Sequence, residues 1–267
     1  MSSTSWASTS AKAAYDPWFY RPTASRAASA RLFCFPHAGV GASVYRKWAT
    51  GLPAEFELCA VQLPGRTSRF SEKPIDSIPV LVNGIVEAIT PFLETPFAFF
   101  GHSMGAILAA EVARELAAKG AEPPGHLIVS ARRPPHMADP QTPMRHLSDT
   151  EFVSEVTRRY GGIPPEILAE KEVLTMLLPA LRADITALET YRPPRRKPLP
   201  CPISVFGGVD DLLAPRAHLD AWREETSSDF EVTVFPGGHF YLESERSAVL
   251  AKVSEILVRT LDQESSA

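Results

Sequence analysis

The sequence predicts an α/β fold with a mostly parallel central sheet, and three observations carry that expectation. Short apolar segments alternate with segments of helical periodicity along most of the chain, the pattern of a sheet covered by helices on both faces. One apolar segment, Phe97-Ala98-Phe99-Phe100, runs into Gly101-His102-Ser103-Met104-Gly105 and then an Ala- and Leu-rich stretch, a strand–turn–helix sequence. With 267 residues, 45% of them apolar, the chain has the material for one large α/β domain or two small ones.

The elements follow in order. Met1 to Ala14 is Ser/Thr/Ala-rich, lacks the apolar core of a secretory signal and reads as a disordered tail. A transit peptide, suggested by its serines with Lys12, Arg21 and Arg26, lacks the basic amphipathic helix that such peptides use. The core is expected in two parts, 15–131 and 200–267. Tyr15 to Pro22 first offers aromatic area to pack on it. Arg31–Phe35 is a buried strand ending in the small-residue turn Pro36-His37-Ala38-Gly39-Val40-Gly41-Ala42, and a helix through Tyr45 and Trp48 follows. Leu58–Leu63 is a second strand, closed by Pro64-Gly65-Arg66. Ser77–Phe92 is a helix with Ile78, Leu81, Val82, Ile85 and Ile89 on one face. The helix after Ser103 ends at Lys119-Gly120. His126–Ser130, Pro202–Phe206 and Glu231–Phe235 are strands, and a last helix spans about Ser247–Leu261. Residues 132–199 break the rhythm. Their apolar residues recur at helical spacing (Phe152, Val153, Val156; Leu174, Leu177, Leu178, Leu181) without a strand, so they read as a helical lid over the carboxyl ends of the strands, where open α/β sheets bind ligands.

Composition narrows the function. A net charge of −4 gives no general affinity for nucleic acid or anionic membrane. No apolar run reaches the ~18 residues that span a bilayer. Cys34, Cys59 and Cys201 are odd in number and widely spaced, so they read as reduced core thiols of a cytoplasmic protein. No histidine pair has metal-ligand spacing, and no zinc is expected.

The chemistry begins at Ser103, the apex of G-x-S-x-G. The motif alone means little; between a strand and a helix it is a nucleophile elbow, with the serine at the positive end of a helix dipole. A serine needs a base held by a third group, and in this architecture the chain order is Ser, acid, His. His239, in Pro236-Gly237-Gly238-His239-Phe240, is the expected base. Asp210, in Gly207-Gly208-Val209-Asp210-Asp211, is the expected acid, with Asp211 read as the cap of the following turn. The oxyanion donors expected are the backbone N–H groups of Met104, after the nucleophile, and of Ala38, in the loop after an early strand. His102 reads as structural and His37 as a pocket residue. His126, His136, His146 and His218 read as surface or loop residues.

From about Trp18 to Leu261 the chain resembles the type II thioesterases, the discrete editing enzymes of modular polyketide synthases and nonribosomal peptide synthetases. The resemblance rests on Phe35-Pro36-His37-Ala38-Gly39, Gln62-Leu63-Pro64-Gly65-Arg66, Gly101-His102-Ser103-Met104-Gly105, Tyr160-Gly161-Gly162-Ile163-Pro164, Leu178-Pro179-Ala180-Leu181-Arg182-Ala183-Asp184 and Gly237-Gly238-His239-Phe240-Tyr241-Leu242. Val40 stands where the family usually has glycine, and Thr67-Ser68 replace more common charged residues; neither removes a catalytic group. The resemblance implies an α/β-hydrolase fold and hydrolysis of acyl thioesters on the phosphopantetheine arm of an acyl or peptidyl carrier protein. It implies no cofactor and places Ser103, Asp210 and His239 on the family's triad, with Ala38 and Met104 on its oxyanion donors. Arg192, Arg195, Arg196 and Lys197 form a basic cluster suited to an acidic carrier, or a solvated linker. A monomer is expected. A carboxylesterase or lipase, an acyltransferase, a product-releasing thioesterase and a non-catalytic homologue are the alternatives on the same fold.

Overall fold

Runs of β-branched and aromatic residues too short for helices become the strands of one seven-stranded sheet in this computed structural model, which describes residues 16–22, 28–161, 163, 165–194 and 196–264. The expected tail, together with Tyr15, Gly162, Pro164 and Arg195, lies outside the described residues. The strands are β1 (Phe19–Tyr20), β2 (Ala30–Phe35), β3 (Phe56–Val61), β4 (Phe97–His102), β5 (His126–Ser130), β6 (Ile203–Gly208) and β7 (Phe230–Phe235). Their order is β1-β3-β2-β4-β5-β6-β7, and every pairing is parallel except β1 on β3. This is the α/β-hydrolase fold that the sequence predicts. At two residues β1 is too short to carry a period, so the sequence shows its residues only as aromatic packing. Phe19 lies opposite Val61 and Tyr20 opposite Ala60.

The topology sets where a ligand can enter. The chain leaves β2 for β3 on one side, then crosses back to β4 on the other. Connections after β2 and β4 therefore part in opposite directions and leave a crevice at the carboxyl ends of these neighbours. The turn after β2 and the Ser103 elbow after β4 both open into it.

Helices α1 (Ile78–Ile89) and α2 (Met104–Ala118) cover one face of the sheet. The apolar face expected of the first is buried in full at Ile78, Leu81, Val82, Ile85 and Ile89. The other face is covered by the 3₁₀ segment Ala42–Trp48, where a helix was expected, and by the C-terminal helix, whose Val249, Val253, Ile256 and Leu257 are buried. All three cysteines are buried and unpaired.

Between β5 and β6 lie α3 (Asp149–Tyr160), α4 (Pro165–Ala169) and α5 (Lys171–Thr190). Ser148 and Glu151 form a reciprocal capping box at the start of α3, and Gly161, at φ 63°, ends it. Pro179 lies midway along α5 and cannot donate to the Thr175 carbonyl. It divides that helix into a first half with Val173, Met176 and Leu177 exposed, and a second half that buries Ala180, Asp184, Ile185 and Ala187. Met144, Phe152, Val156 and Ile185 form a small core of their own. The remaining helices are α6 (Arg216–Asp220), α7 (Tyr241–Ser244) and α8 (Arg246–Glu264).

The sequence reads His126 as a surface or loop residue, and the structure differs. His126 is not a surface residue; it is buried at the start of β5, with Nε2 2.8 Å from Ser204 Oγ. Burial, opposed by nearby carboxylates, lowers its pKa to about 4.

Two outcomes follow from this packing. A Cβ on Gly105 would lie 2.0 Å from the Phe35 carbonyl oxygen, a backbone atom with no room to yield. Gly105→Ala should therefore lose about 3 kcal/mol or more in urea unfolding, whereas Gly120→Ala, with open space around it, should lose only the smaller strain of its positive φ. Because His126 is held neutral in the fold and protonates near pH 6.5 when unfolded, stability should rise with pH from about 4 to 6.5 and be lost on acidification. His126→Gln should flatten the dependence of Tm on pH between 6.5 and 5; an unchanged slope would contradict the assignment.

Candidate active site

Ser103 owes its place to two glycines. At φ 54° and ψ −112° it is one of the described non-glycine residues with positive φ. Such strain persists only when its surroundings hold it. A Cβ on Gly101 would meet the Gly105 carbonyl oxygen at 2.2 Å, so the strand end and helix start touch backbone to backbone. The Ser103 N–H donates to the Ser130 carbonyl at the end of β5 (2.8 Å). The hydroxyl thus projects from the sheet edge at the N-terminus of the 15-residue α2.

His239 reaches Ser103 from the loop after β7. Its Nε2 lies 3.0 Å from Ser103 Oγ, and its Nδ1 lies 2.8 Å from Asp211 Oδ2. An ionised carboxylate only accepts, so Nδ1–H donates to Asp211 and Nε2 accepts from the serine hydroxyl. All three groups are buried. Tyr160, the last residue of α3, places its ring 5.6 Å from that of His239.

The acid differs from the one expected. Asp210 is exposed, and Asp211 is buried against His239. The reason lies in β6, which runs two residues beyond Phe206 and still pairs at Gly208 with Phe235. The turn moves on by the same amount: Val209 and Asp210 occupy its exposed tip and the chain returns at Asp211. Asp211 does cap the turn as the sequence suggested, accepting the Leu213 N–H through Oδ1 at 2.9 Å. Its second oxygen is left for the imidazole, so the two roles do not compete.

A hydrogen-bonded chain stands behind the elbow. His102 Nδ1 lies 2.8 Å from Ser130 Oγ, which lies 2.6 Å from the Tyr241 hydroxyl; the Tyr241 ring stacks on Phe235. This ties the elbow to the segment carrying His239. Burial holds both His102 and His37 neutral, the latter near pKa 4.

Ser103 and His239 open into a cavity of about 380 Å³, roofed by α3 and α5 through Val156, Leu174, Leu178 and Leu181 and floored by the turn His37–Gly41. Ala38 lines this cavity, and Met104 begins α2 directly after the serine. The turn is held from two sides. The Gly39 N–H donates to Asp184 Oδ2 (2.7 Å), and the Ala42 N–H donates to Gln62 Oε1 (3.0 Å). Asp184 in turn accepts from both terminal nitrogens of Arg66, at 2.5 and 2.9 Å, with Asp184 wholly buried and Arg66 nearly so. The sequence contained both residues within its motifs but gave them no role. An acid on the apolar stripe of a helix, between Leu181 and Ile185, was the available signal. A second, more polar cavity of about 780 Å³ lies beyond Tyr160, Ile185 and Leu188, which line both. Arg192 and Arg196 of the basic cluster face it; Arg196 pairs with Glu111, and Arg192 donates to the Glu189 and Tyr191 carbonyls. Among the described residues no cluster has the composition of a metal site.

Comparison with known proteins agrees with this geometry. A thioesterase domain family model matches residues 30–257. The chain is 40% identical over 243 residues to the linear gramicidin dehydrogenase LgrE of Brevibacillus parabrevis, covering 90% of this chain and 92% of that protein. It is 40% identical over 225 residues to the gramicidin S biosynthesis protein GrsT of Aneurinibacillus migulanus, covering 84% and 88%. The name of the first speaks of a dehydrogenase, but Ser103, His239 and Asp211 make up the side-chain set of a hydrolase. Among solved structures, the type II thioesterase BorB from the borrelidin biosynthetic cluster superposes with a TM-score of 0.82 at 37% identity, over 90% of this chain and 97% of that one. The chain belongs to the thioesterase domain family and is a thioester hydrolase.

Proposed function

We propose that this thioester hydrolase acts on acyl groups tethered to the phosphopantetheine arm of an acyl or peptidyl carrier protein, releasing stalled or aberrant chains from a polyketide or nonribosomal peptide synthase. The observation that carries the proposal is the Asp211–His239–Ser103 relay opening into an apolar cavity under α3 and α5. Relatives named for gramicidin S biosynthesis and for the borrelidin cluster support the substrate class. Residues 132–199 serve as the lid.

Ser103 Oγ attacks the thioester carbonyl and gives its proton to His239 Nε2. Asp211 keeps Nδ1 protonated before this step and stabilises the imidazolium after it. The N–H groups of Met104 and Ala38 take the charge that develops on the carbonyl oxygen. Collapse breaks the C–S bond, and the imidazolium proton goes to the departing thiolate. A thiolate leaves readily, so this protonation matters less than in amide cleavage. Water then attacks the acyl-Ser103 ester, His239 takes its proton, and the second collapse returns that proton to Ser103 and frees the carboxylic acid. The scheme uses this chain's side chains, two backbone donors and water.

The cavity volume lies near the lower end for ligand pockets, which run about 300–1,000 Å³. Short unbranched acyl groups on a carrier protein should therefore be released faster than long elaborated ones when acid release is followed across an acyl panel. A preference for long elaborated groups would contradict the editing role.

Exchange of the two aspartates tests the triad. Asp211→Asn should lower kcat by about 10⁴-fold, because an amide no longer fixes the productive tautomer. Asp210→Asn should stay within about twofold of the parent. Ser103→Ala should remove acyl-enzyme chemistry and lower kcat by at least a comparable factor. A severe loss at Asp210 with a mild one at Asp211 would reverse the assignment.

A further inference from the structure

The Arg66–Asp184 pair joins three segments distant in sequence: the turn after β3, helix α5, and through Gly39 the turn after β2. Replacing a buried ion pair by apolar side chains is often neutral or stabilising, so stability alone is a poor account of it. What this pair holds is more informative. Asp184 Oδ2 accepts the Gly39 N–H at 2.7 Å, while on the other side of the same peptide the Ala38 carbonyl lies 3.1 Å from His37 Nδ1. The Ala38–Gly39 peptide plane is thus gripped at both ends. That plane sets the direction of the chain at Ala38, whose N–H is the proposed oxyanion donor. One helical turn before Asp184, Leu181 presses on the same turn: a Cβ on Gly39, already at φ 82°, would meet Leu181 Cδ1 at 2.8 Å.

We propose that Asp184 is a positioning residue, which through the Gly39 N–H aims the oxyanion donor of Ala38 at the reacting carbonyl, with the two-point contact of Arg66 orienting its carboxylate. The acceptor sits on α5, the helix that also roofs the acyl cavity. Seating of α5 therefore does two things at once: it covers the cavity and completes the oxyanion hole. The inference rests on the reading of Ser103 as nucleophile but not on the carrier protein as substrate carrier.

Two neutral replacements separate positioning from stability. Asp184→Asn and Asp184→Leu both leave Arg66 without its charge partner, but only asparagine keeps an acceptor for the Gly39 N–H. Both should lower Tm to a similar extent. With an acyl-pantetheine thioester and a matched p-nitrophenyl ester, the Leu variant should show kcat at least ~10-fold below the Asn variant, part of the ~100- to 1,000-fold that a lost oxyanion donor costs. KM should agree within about twofold, and the pH dependence of kcat/KM should keep its midpoint. Equal kcat in the two variants would overturn the proposal. If neither is recovered folded, Arg66→Ala/Asp184→Ala removes both buried charges. It should regain most of the Tm lost in Arg66→Ala while kcat stays at least ~10-fold down; recovery of kcat along with Tm would overturn the proposal. Ser103→Ala, assayed alongside, keeps the two readings apart. Activity surviving in it sinks the triad, whereas activity lost in it but indifferent to the acceptor at position 184 sinks only the present inference.

Discussion

The structure depends on a backbone contact that admits no side chain. Gly105, at the start of α2, sits against the Phe35 carbonyl of β2, and Gly101 sits against the Gly105 carbonyl. These contacts hold Ser103 in a conformation an L-residue rarely adopts and draw the start of α2 to the end of β2. Without them the elbow would relax, the serine would fall back toward the sheet, and the turn carrying Ala38 would have nothing to face. Sheet topology places β2 and β4 side by side and sends their connections apart, so the crevice needs no further device to exist. The glycines turn it into a place where a hydroxyl, an imidazole and backbone donors can converge.

Around this contact the electrostatics are arranged with little charge near the nucleophile. His37 and His102 are held neutral by burial, and the hydroxyls of Ser130 and Tyr241 add polarity without charge. Asp211 is the carboxylate bonded to the His239 imidazole, and it spends its other oxygen on the Leu213 N–H. Among the described residues, the side chain hydrogen-bonded to the Ser103 hydroxyl is His239, through Nε2. The buried ion pair of Arg66 with Asp184 stands on the far side of the Ala38 turn. Asp211 and Asp184 thus divide the work in the proposed mechanism. One orients a base, and the other orients a backbone donor through an intervening peptide.

Much of this was legible in the sequence because short-range rules governed it. The strand–elbow–helix around Ser103 rests on adjacent residues, and the buried face of α1 rests on one period. His239 follows a strand in the chain order its architecture demands. What escaped depended on where strands stop and on contacts between remote segments. Asp210 and Asp211 differ by one position, and the choice between them turned on β6 pairing as far as Gly208, which two consecutive glycines disguise as a turn. The buried place of His126 is set by Ser204 and Thr260, far along the chain. Asp184 meets Arg66 across 118 positions. An acid on a helix's apolar stripe could have flagged it, but nothing local names its partner.

The most direct test of the account is a chemical trap. The full chain would be mixed with a chromatographically pure acyl-pantetheine thioester, quenched with acid before one turnover is complete, digested, and mapped by mass spectrometry. The expected result is an acyl mass increment on the peptide containing Ser103, appearing with the first equivalent of free thiol and decaying as carboxylic acid is released. Thiol and acid released together in that interval, with no increment on this peptide or with the acyl group on another residue, would contradict the account at its centre.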